Sequence, residues 1–328
     1  MKQLRVPASL ESRLFGKIWW WCSICILATL LALLFPYPVH ADGGAPNLAY
    51  VAGTAHGISV IDIAQQRVTS TLSSAGDPHM VLLSLDGRFL YVAESASRQV
   101  TVLATKTGQT ICNAHLAGHP SLLALDPSAN ILYAAGTDTA NVSALDPNTC
   151  ALRQTLLTRG PVYGLAVGLP STGTEADTQL WVAESASIAL FDAQRHLAKR
   201  IALPAGPRFL TLPAGGNTAY ITTAQGTLVA IDFTTLAVRS LLSGGSFGPM
   251  DFNETTGEIY VPDRLHNQLD VLTPAPPAPQ PLPHEPARVI HLSDAPQSVA
   301  ITSDGQFGFV ALSSGKVAML DIPGRQLI

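Results

Sequence analysis

A short apolar strand centred on an aromatic residue recurs seven times along the chain: LAYVAG around Tyr50, FLYVAE around Tyr91, ILYAAG around Tyr133, QLWVAE around Trp181, TAYITT around Tyr220, EIYVPD around Tyr260 and FGFVAL around Phe309. A second apolar stretch follows each one closely, reading in turn SVIDIA, TVLATK, SALDPN, ALFDAQ, VAIDFT, DVLTPA and AMLDIP. Apolar and polar positions alternate within these segments, the two-residue period of a strand. The second copy is the fullest and divides into four strands, HMVLLSLDG, RFLYVAES, RQVTVLAT and QTICNAHL, here lettered a to d. A strand-only unit repeating about every 40 residues cannot bury both faces alone, so copies must stack around a ring. The pattern therefore predicts an all-β, seven-bladed β-propeller.

The connections sharpen that expectation. The turn between strands a and b carries Gly, Asn or Asp at its tip, as in LDGR at 85–88, PSAN at 127–130, GGN at 215–217, TTGE at 255–258 and SDGQ at 303–306. Such tips suit tight hairpins, which need positive φ. Only ADGGAPN precedes the first b strand, and the chain stops at RQLI where the last d strand should end, so the first blade is expected to hold three strands and to form a seam. Two insertions, STGTEADT at 171–178 and TPAPPAPQPLPHEP at 273–286, fall in a–b and c–d connections and so on one face of the ring. The proline stretch is expected to be extended and poorly packed. The b-strand aromatics are assigned to packing between blades. Asp62, Asp146, Asp192, Asp232 and Asp321, which end c strands, are assigned to capping the turns that follow.

Charge and the amino-terminus bear on location and partners. The formal net charge is −4 and the repeats contain no run of Lys or Arg, which argues against a nucleic-acid groove. Residues 1–17 carry Lys2, Arg5, Arg13 and Lys17 against the single Glu11, residues 18–35 carry no charge, and Val39-His40-Ala41 follows. Basic region, apolar core and small-residue cleavage pattern describe a signal peptide over 1–41, with the propeller at 42–328. The apolar core also reaches spanning length and begins with Trp19, Trp20 and Trp21, so a retained membrane anchor through residues 18–35 is the alternative. Both place the propeller outside the cytoplasm. That compartment permits a disulfide between Cys112 and Cys150, in adjacent repeats, but they lie four positions out of step, and the pairing is left open.

The repeated YVA strand, the VID-like strand after it and an a strand of the form P-x-x-V-A-x-x-x-D-G at 296–305 resemble the YVTN-type propeller repeat of YncE-like and archaeal surface-layer proteins, over residues 46–328. That resemblance implies an exported protein with a binding or scaffolding role rather than one particular reaction.

Candidate chemistry lies where d–a and b–c connections meet the mouth of the central channel. A Pro stands before each a strand, which puts His79, Ser121, Tyr163, Arg208, Met250 and Gln297 in a ring, while the b–c loops add His56, Glu94, Glu184, Asp263, Arg264 and His266. Arg208 and His79 would suit an anionic or carbonyl ligand, with Glu94 or Glu184 as a base. Glu94, Glu184 and Asp263 could hold a metal only if all three point inward, and no metal or cofactor is assigned. Neither H-E-x-x-H nor G-x-S-x-G occurs, which removes support for zinc-protease and serine-hydrolase readings. The expected function is a non-enzymatic, exported module that binds a protein or cell-envelope component, its oligomeric state undefined. The alternative is a lactonase-like hydrolase using the funnel.

Overall fold

The computed structural model describes residues 47–328, except 55–56, 169–177, 214–215 and 277–279. The described residues lie within one compact unit, Gly43–Ile328. The signal or anchor segment, His56 and most of the insertion at 171–178 lie outside the described residues.

The regular structure of the described residues consists of strands alone, in seven antiparallel sheets whose strand order follows the sequence. Blade 1 holds β1 (Leu48–Thr54), β2 (Gly57–Asp62) and β3 (Arg67–Leu72). Blade 2 holds β4 (Pro78–Leu83), β5 (Phe89–Glu94), β6 (Gln99–Ala104) and β7 (Thr110–His115). Blade 3 holds β8 (Leu122–Asp126), β9 (Ile131–Ala135), β10 (Asn141–Leu145) and β11 (Leu152–Leu157). Blade 4 holds β12 (Gly164–Gly168), β13 (Gln179–Ala183), β14 (Ser187–Phe191) and β15 (Leu197–Ala202). Blade 5 holds β16 (Pro207–Thr211), β17 (Thr218–Thr223), β18 (Thr227–Asp232) and β19 (Val238–Ser243). Blade 6 holds β20 (Asp251–Phe252), β21 (Ile259–Asp263), β22 (Gln268–Leu272) and β23 (Arg288–His291). Blade 7 holds β24 (Pro296–Ile301), β25 (Phe307–Leu312), β26 (Val317–Asp321) and β27 (Gln326–Leu327). The seven blades and the three-stranded first sheet match the sequence reading.

Period-two alternation shows what holds the ring together. In β5, Tyr91 and Ala93 pack toward blade 3, while Leu90 and Val92 pack toward blade 1. One apolar cluster lies at each junction between neighbouring blades, and a cluster of Ile63, Phe309 and Met319 joins blade 7 back to blade 1. Tyr91, Tyr133, Trp181, Tyr220, Tyr260 and Phe309 are all buried, each contributing on the order of 2 kcal/mol through apolar burial. Tyr50 is only half-buried, because no strand of the described residues covers the inner edge of β1.

The turns follow the backbone chemistry expected of them. Gly87, Asn130, Gly257 and Gly305 take positive φ at the a–b tips. Asp62 accepts from the N–H of Gln65, Asp146 from Asn148 and Thr149, Asp192 from His196, Asp232 from Thr234 and Thr235, and Asp321 from Gly324. Cys112 and Cys150 form a disulfide with a Cα–Cα distance of 5.8 Å that joins blade 2 to blade 3. The described residues of the proline insertion are mostly exposed, as expected, but the stretch is tethered to blade 5. The Ala275 N–H donates to the Tyr220 hydroxyl at 2.7 Å, Arg239 donates to the carbonyls of Pro276 and Gln280, and Ala275 and Leu282 pack against the junction of blades 5 and 6. An extended chain without internal hydrogen bonds leaves its carbonyls free, and Arg239 supplies their donors.

Candidate functional site

The b–c and d–a connections lie together on one face, tied by backbone bonds such as Leu203 N–H to Ala186 O at 2.9 Å and Arg264 N–H to Ser246 O at 3.0 Å. At the start of the inner strands, Ser121 N–H donates to Ala135 O, Tyr163 N–H to Ala183 O and Gly248 N–H to Pro262 O, so these three residues hold the same place in the register. In blade 6 that place belongs to Gly248 and not to Met250. The longer segment SGGSF before it advances the chain, and Met250 is buried between blades 5 and 6 with Phe247 and Ile259. A side chain at Gly248 would meet the Gln297 carbonyl at 2.9 Å and the Arg264 guanidinium at 3.5 Å. His79 is exposed, its Nε2 3.1 Å from Asp77 Oδ2. Ser121, Tyr163, Arg208 and Gln297 are half-buried.

The three acidic residues behave differently from the sequence expectation of a base at the rim. Glu94, Glu184 and Asp263 are 1%, 1% and 2% exposed. Glu94 Oε1 accepts from the Ser74 hydroxyl at 2.7 Å and the Ala75 N–H at 2.9 Å, while Oε2 accepts from Gln99 and, at 2.9 Å, from Thr101. Glu184 accepts from the Arg159 N–H at 3.0 Å, the Ser187 hydroxyl at 2.7 Å and the Arg200 guanidinium at 3.1 Å. Asp263 accepts from the Ser246 and Leu265 N–H groups, both at 3.0 Å, and meets His266 Nδ1 at 2.5 Å. Each carboxylate thus fastens the preceding interblade loop to its own b strand. Asp138 does the same in blade 3 for the His119 N–H, a role its position three residues beyond the b strand hid. Burial works to raise the pKa of Glu94, but the bonds from Gln99, Ser74, Ala75 and Thr101 outweigh it and hold it below the ordinary value. Glu184 is lowered in the same way, burial being overcome chiefly by Arg200 and Ser187. The hydrogen bond that His266 donates to the Asp263 carboxylate raises the His266 pKa. Burial, then the charge of Asp263, pushes Asp270 up to about 6.

The cations on this face are less fully matched. The Arg208 guanidinium lies over the Tyr163 ring of the preceding blade, 4.0 Å from its centroid, and its Nη1 donates to Pro207 O at 3.2 Å. Arg264 Nη2 donates to the Gln297 carbonyl of the next blade at 3.0 Å, while its Nε is buried without a partner. Neither arginine forms an ion pair among the described residues. Among those residues no group of three His, Cys, Asp or Glu side chains is placed to hold a metal.

No protein-family model matches the chain. No curated protein matches it. Solved structures do. Hydrazine synthase of Kuenenia stuttgartiensis is similar at 15% identity and a TM-score of 0.71, over 88% of this chain and 99% of that one. The Cps50 (Swd1) β-propeller domain of Myceliophteria thermophila is similar at 17% identity and a TM-score of 0.65, over 80% and 87%. Dihydro-heme d1 dehydrogenase NirN is similar at 14% identity and a TM-score of 0.60, over 91% and 75%. At these identities the likeness is one of fold.

Proposed function

We propose that the chain is an exported propeller of the YVTN kind that acts without catalysis, binding a protein or cell-envelope component through the face formed by its b–c and d–a connections. The observation that carries this reading is the fate of the acids: Glu94, Glu184 and Asp263 are buried and tied to loop donors, so none is presented to a ligand as a base. Glu94 and Glu184, each satisfied by several donors and lowered in pKa, are weak general bases near neutral pH. What the face offers outward is the half-buried Tyr163, Arg208, Arg264 and Gln297, groups suited to recognition. The basic and then apolar amino-terminus supports export.

Two measurements test the reading. Fused to a reporter enzyme active only outside the cytoplasm, residues 1–41 should give active reporter, and silence there removes the envelope assignment. Purified full-length chain should show no turnover in a lactone-hydrolysis screen with and without added divalent metal. Turnover lost on changing Glu94, Glu184 or Arg208 would establish the hydrolase instead.

A further inference from the structure

Arg208 and Arg264 stand on the same face in adjacent blades, Arg208 at the start of the inner strand β16 and Arg264 directly after β21. Arg208 is laid flat on Tyr163. Stacking engages the face of the guanidinium and Pro207 O takes Nη1, which leaves the Nε and Nη2 edge to meet a planar oxyanion. Arg264 is fixed at one end by Gln297 O and lies over Gly248, where any side chain would crowd it. Its Nε is buried without an acceptor, and burial lowers its pKa, the signature of a guanidinium short of negative charge.

The acids that could neutralise this pair are engaged elsewhere. Glu184 is held by Arg200, Ser187 and the Arg159 N–H, Asp263 by Ser246, Leu265 and His266, and Asp294 by Ser293 and Ser314. Both arginines are orientated by neighbouring blades before any ligand arrives, which reduces the ordering cost of binding.

We propose that Arg208 and Arg264, seated on Tyr163 and Gln297, form a carboxylate-recognition site at the channel mouth of blades 4 to 7. The site deepens the binding role proposed above and rests on it. Guanidiniums pair with carboxylates through two parallel N–H donors, so the ligand is a di- or polycarboxylate, supplied as a small free acid or as an acidic stretch of a partner protein.

The test is calorimetric titration of the full-length chain with glutarate and with a tetraglutamate peptide, using glutaramide and a tetraglutamine peptide as uncharged controls. Binding of a carboxylate probe, weakened by rising salt and absent with both amides, is the expected result. Binding of glutarate points to a free acid and binding of the peptide alone to a protein segment. Arg208→Gln and Arg264→Gln should each weaken the affinity at least tenfold with the melting temperature kept, and Arg264→Lys should recover only part. Arg88→Gln, which alters an arginine paired with Asp86 on the opposite face, should bind as the parent does. Failure of both carboxylate probes to bind, equal binding of the amides, or binding unchanged in both arginine variants would overturn the site. A silent export reporter beside intact carboxylate binding would instead remove only the envelope assignment.

Discussion

Whether a buried carboxylate serves chemistry or architecture depends on how many donors reach it. Glu94 has five, drawn from the preceding interblade loop and its own blade, so its removal leaves the Thr101 hydroxyl, the Gln99 amide and the Ala75 N–H without that acceptor. Glu94→Ala should lower stability by about 3 kcal/mol in urea unfolding, and a loss below about 0.5 kcal/mol would refute the fastening role. Its lowered pKa means that this stabilisation is present above the unfolded value near 4.3 and disappears as pH falls through the folded one. Asp251 works in the opposite sense. Its Oδ2 accepts the Ile301 N–H of blade 7 at 2.8 Å, and burial raises its pKa from 3.8 to about 6. The fold therefore favours the protonated acid, an advantage complete below the unfolded value and lost as pH climbs through about 6. Between pH 4 and pH 7 the stability of Asp251→Asn relative to the parent should rise by about 2 to 3 kcal/mol, and parallel curves would show that the carboxyl is not strained. The sequence showed where Glu94 and Glu184 sit, repeated in two AESAS segments, but not where they point. Their backbone donors lie 19 and 25 residues upstream and carry no residue-specific signal.

Strands and tip turns were legible because each rests on a local cause, an alternation of period two or a residue able to take positive φ. What escaped needed knowledge of a neighbouring element. Cys112 lies in the outer strand of blade 2, whereas Cys150 lies in the c–d turn of blade 3 at φ 59°, where blade 2 has Gly108 at φ 70°. Counted along equivalent strands the two appear out of step, yet the turn of one blade reaches the outer strand of the other. The bond closes 38 residues and should contribute about 4 kcal/mol by restricting the unfolded chain. Reduction, or Cys112→Ser with Cys150→Ser, should lower the urea midpoint accordingly, and an unchanged midpoint would mean the thiols are unpaired in solution. Met250 was misplaced for a related reason: counting from Pro249 ignores the extra residues that move Gly248 into the ring position. The proline insertion reads as a loose loop only while Arg239 and Tyr220, about forty and fifty residues earlier, are out of view.

A closed ring is as strong as its least-filled junction, and here the poorest junctions flank blade 1. Among the described residues the junctions from blade 2 round to blade 7 each bury between eight and twelve apolar residues, whereas four are buried between blades 1 and 2 and three between blades 7 and 1. Among the described residues no inner strand stands beside β1. Asn47, just before β1, and the β1 residues Ala49 and Val51 face β2 with their hydrogen-bonding groups, so by alternation those of Leu48, Tyr50 and Ala52 face the channel side, where in blade 2 the equivalent Phe89, Tyr91 and Ala93 are covered by β4. Leu48 to Ala52 are all half-buried as a consequence, while Leu90, Tyr91, Val92 and Ala93 are at most 3% exposed. Local opening follows sparse burial and exposed backbone bonds. In native-state hydrogen exchange followed by mass spectrometry, peptides from residues 47–72 should therefore exchange ahead of those from 89–115, which the Cys112–Cys150 bond also restrains. An apolar substitution at the half-buried Val81, where blade 2 meets Tyr50, should alter protection of 47–72 before that of blades 3 to 6. Equal protection across all seven blades would mean that the ring opens as one cooperative unit and that blade 1 is no seam.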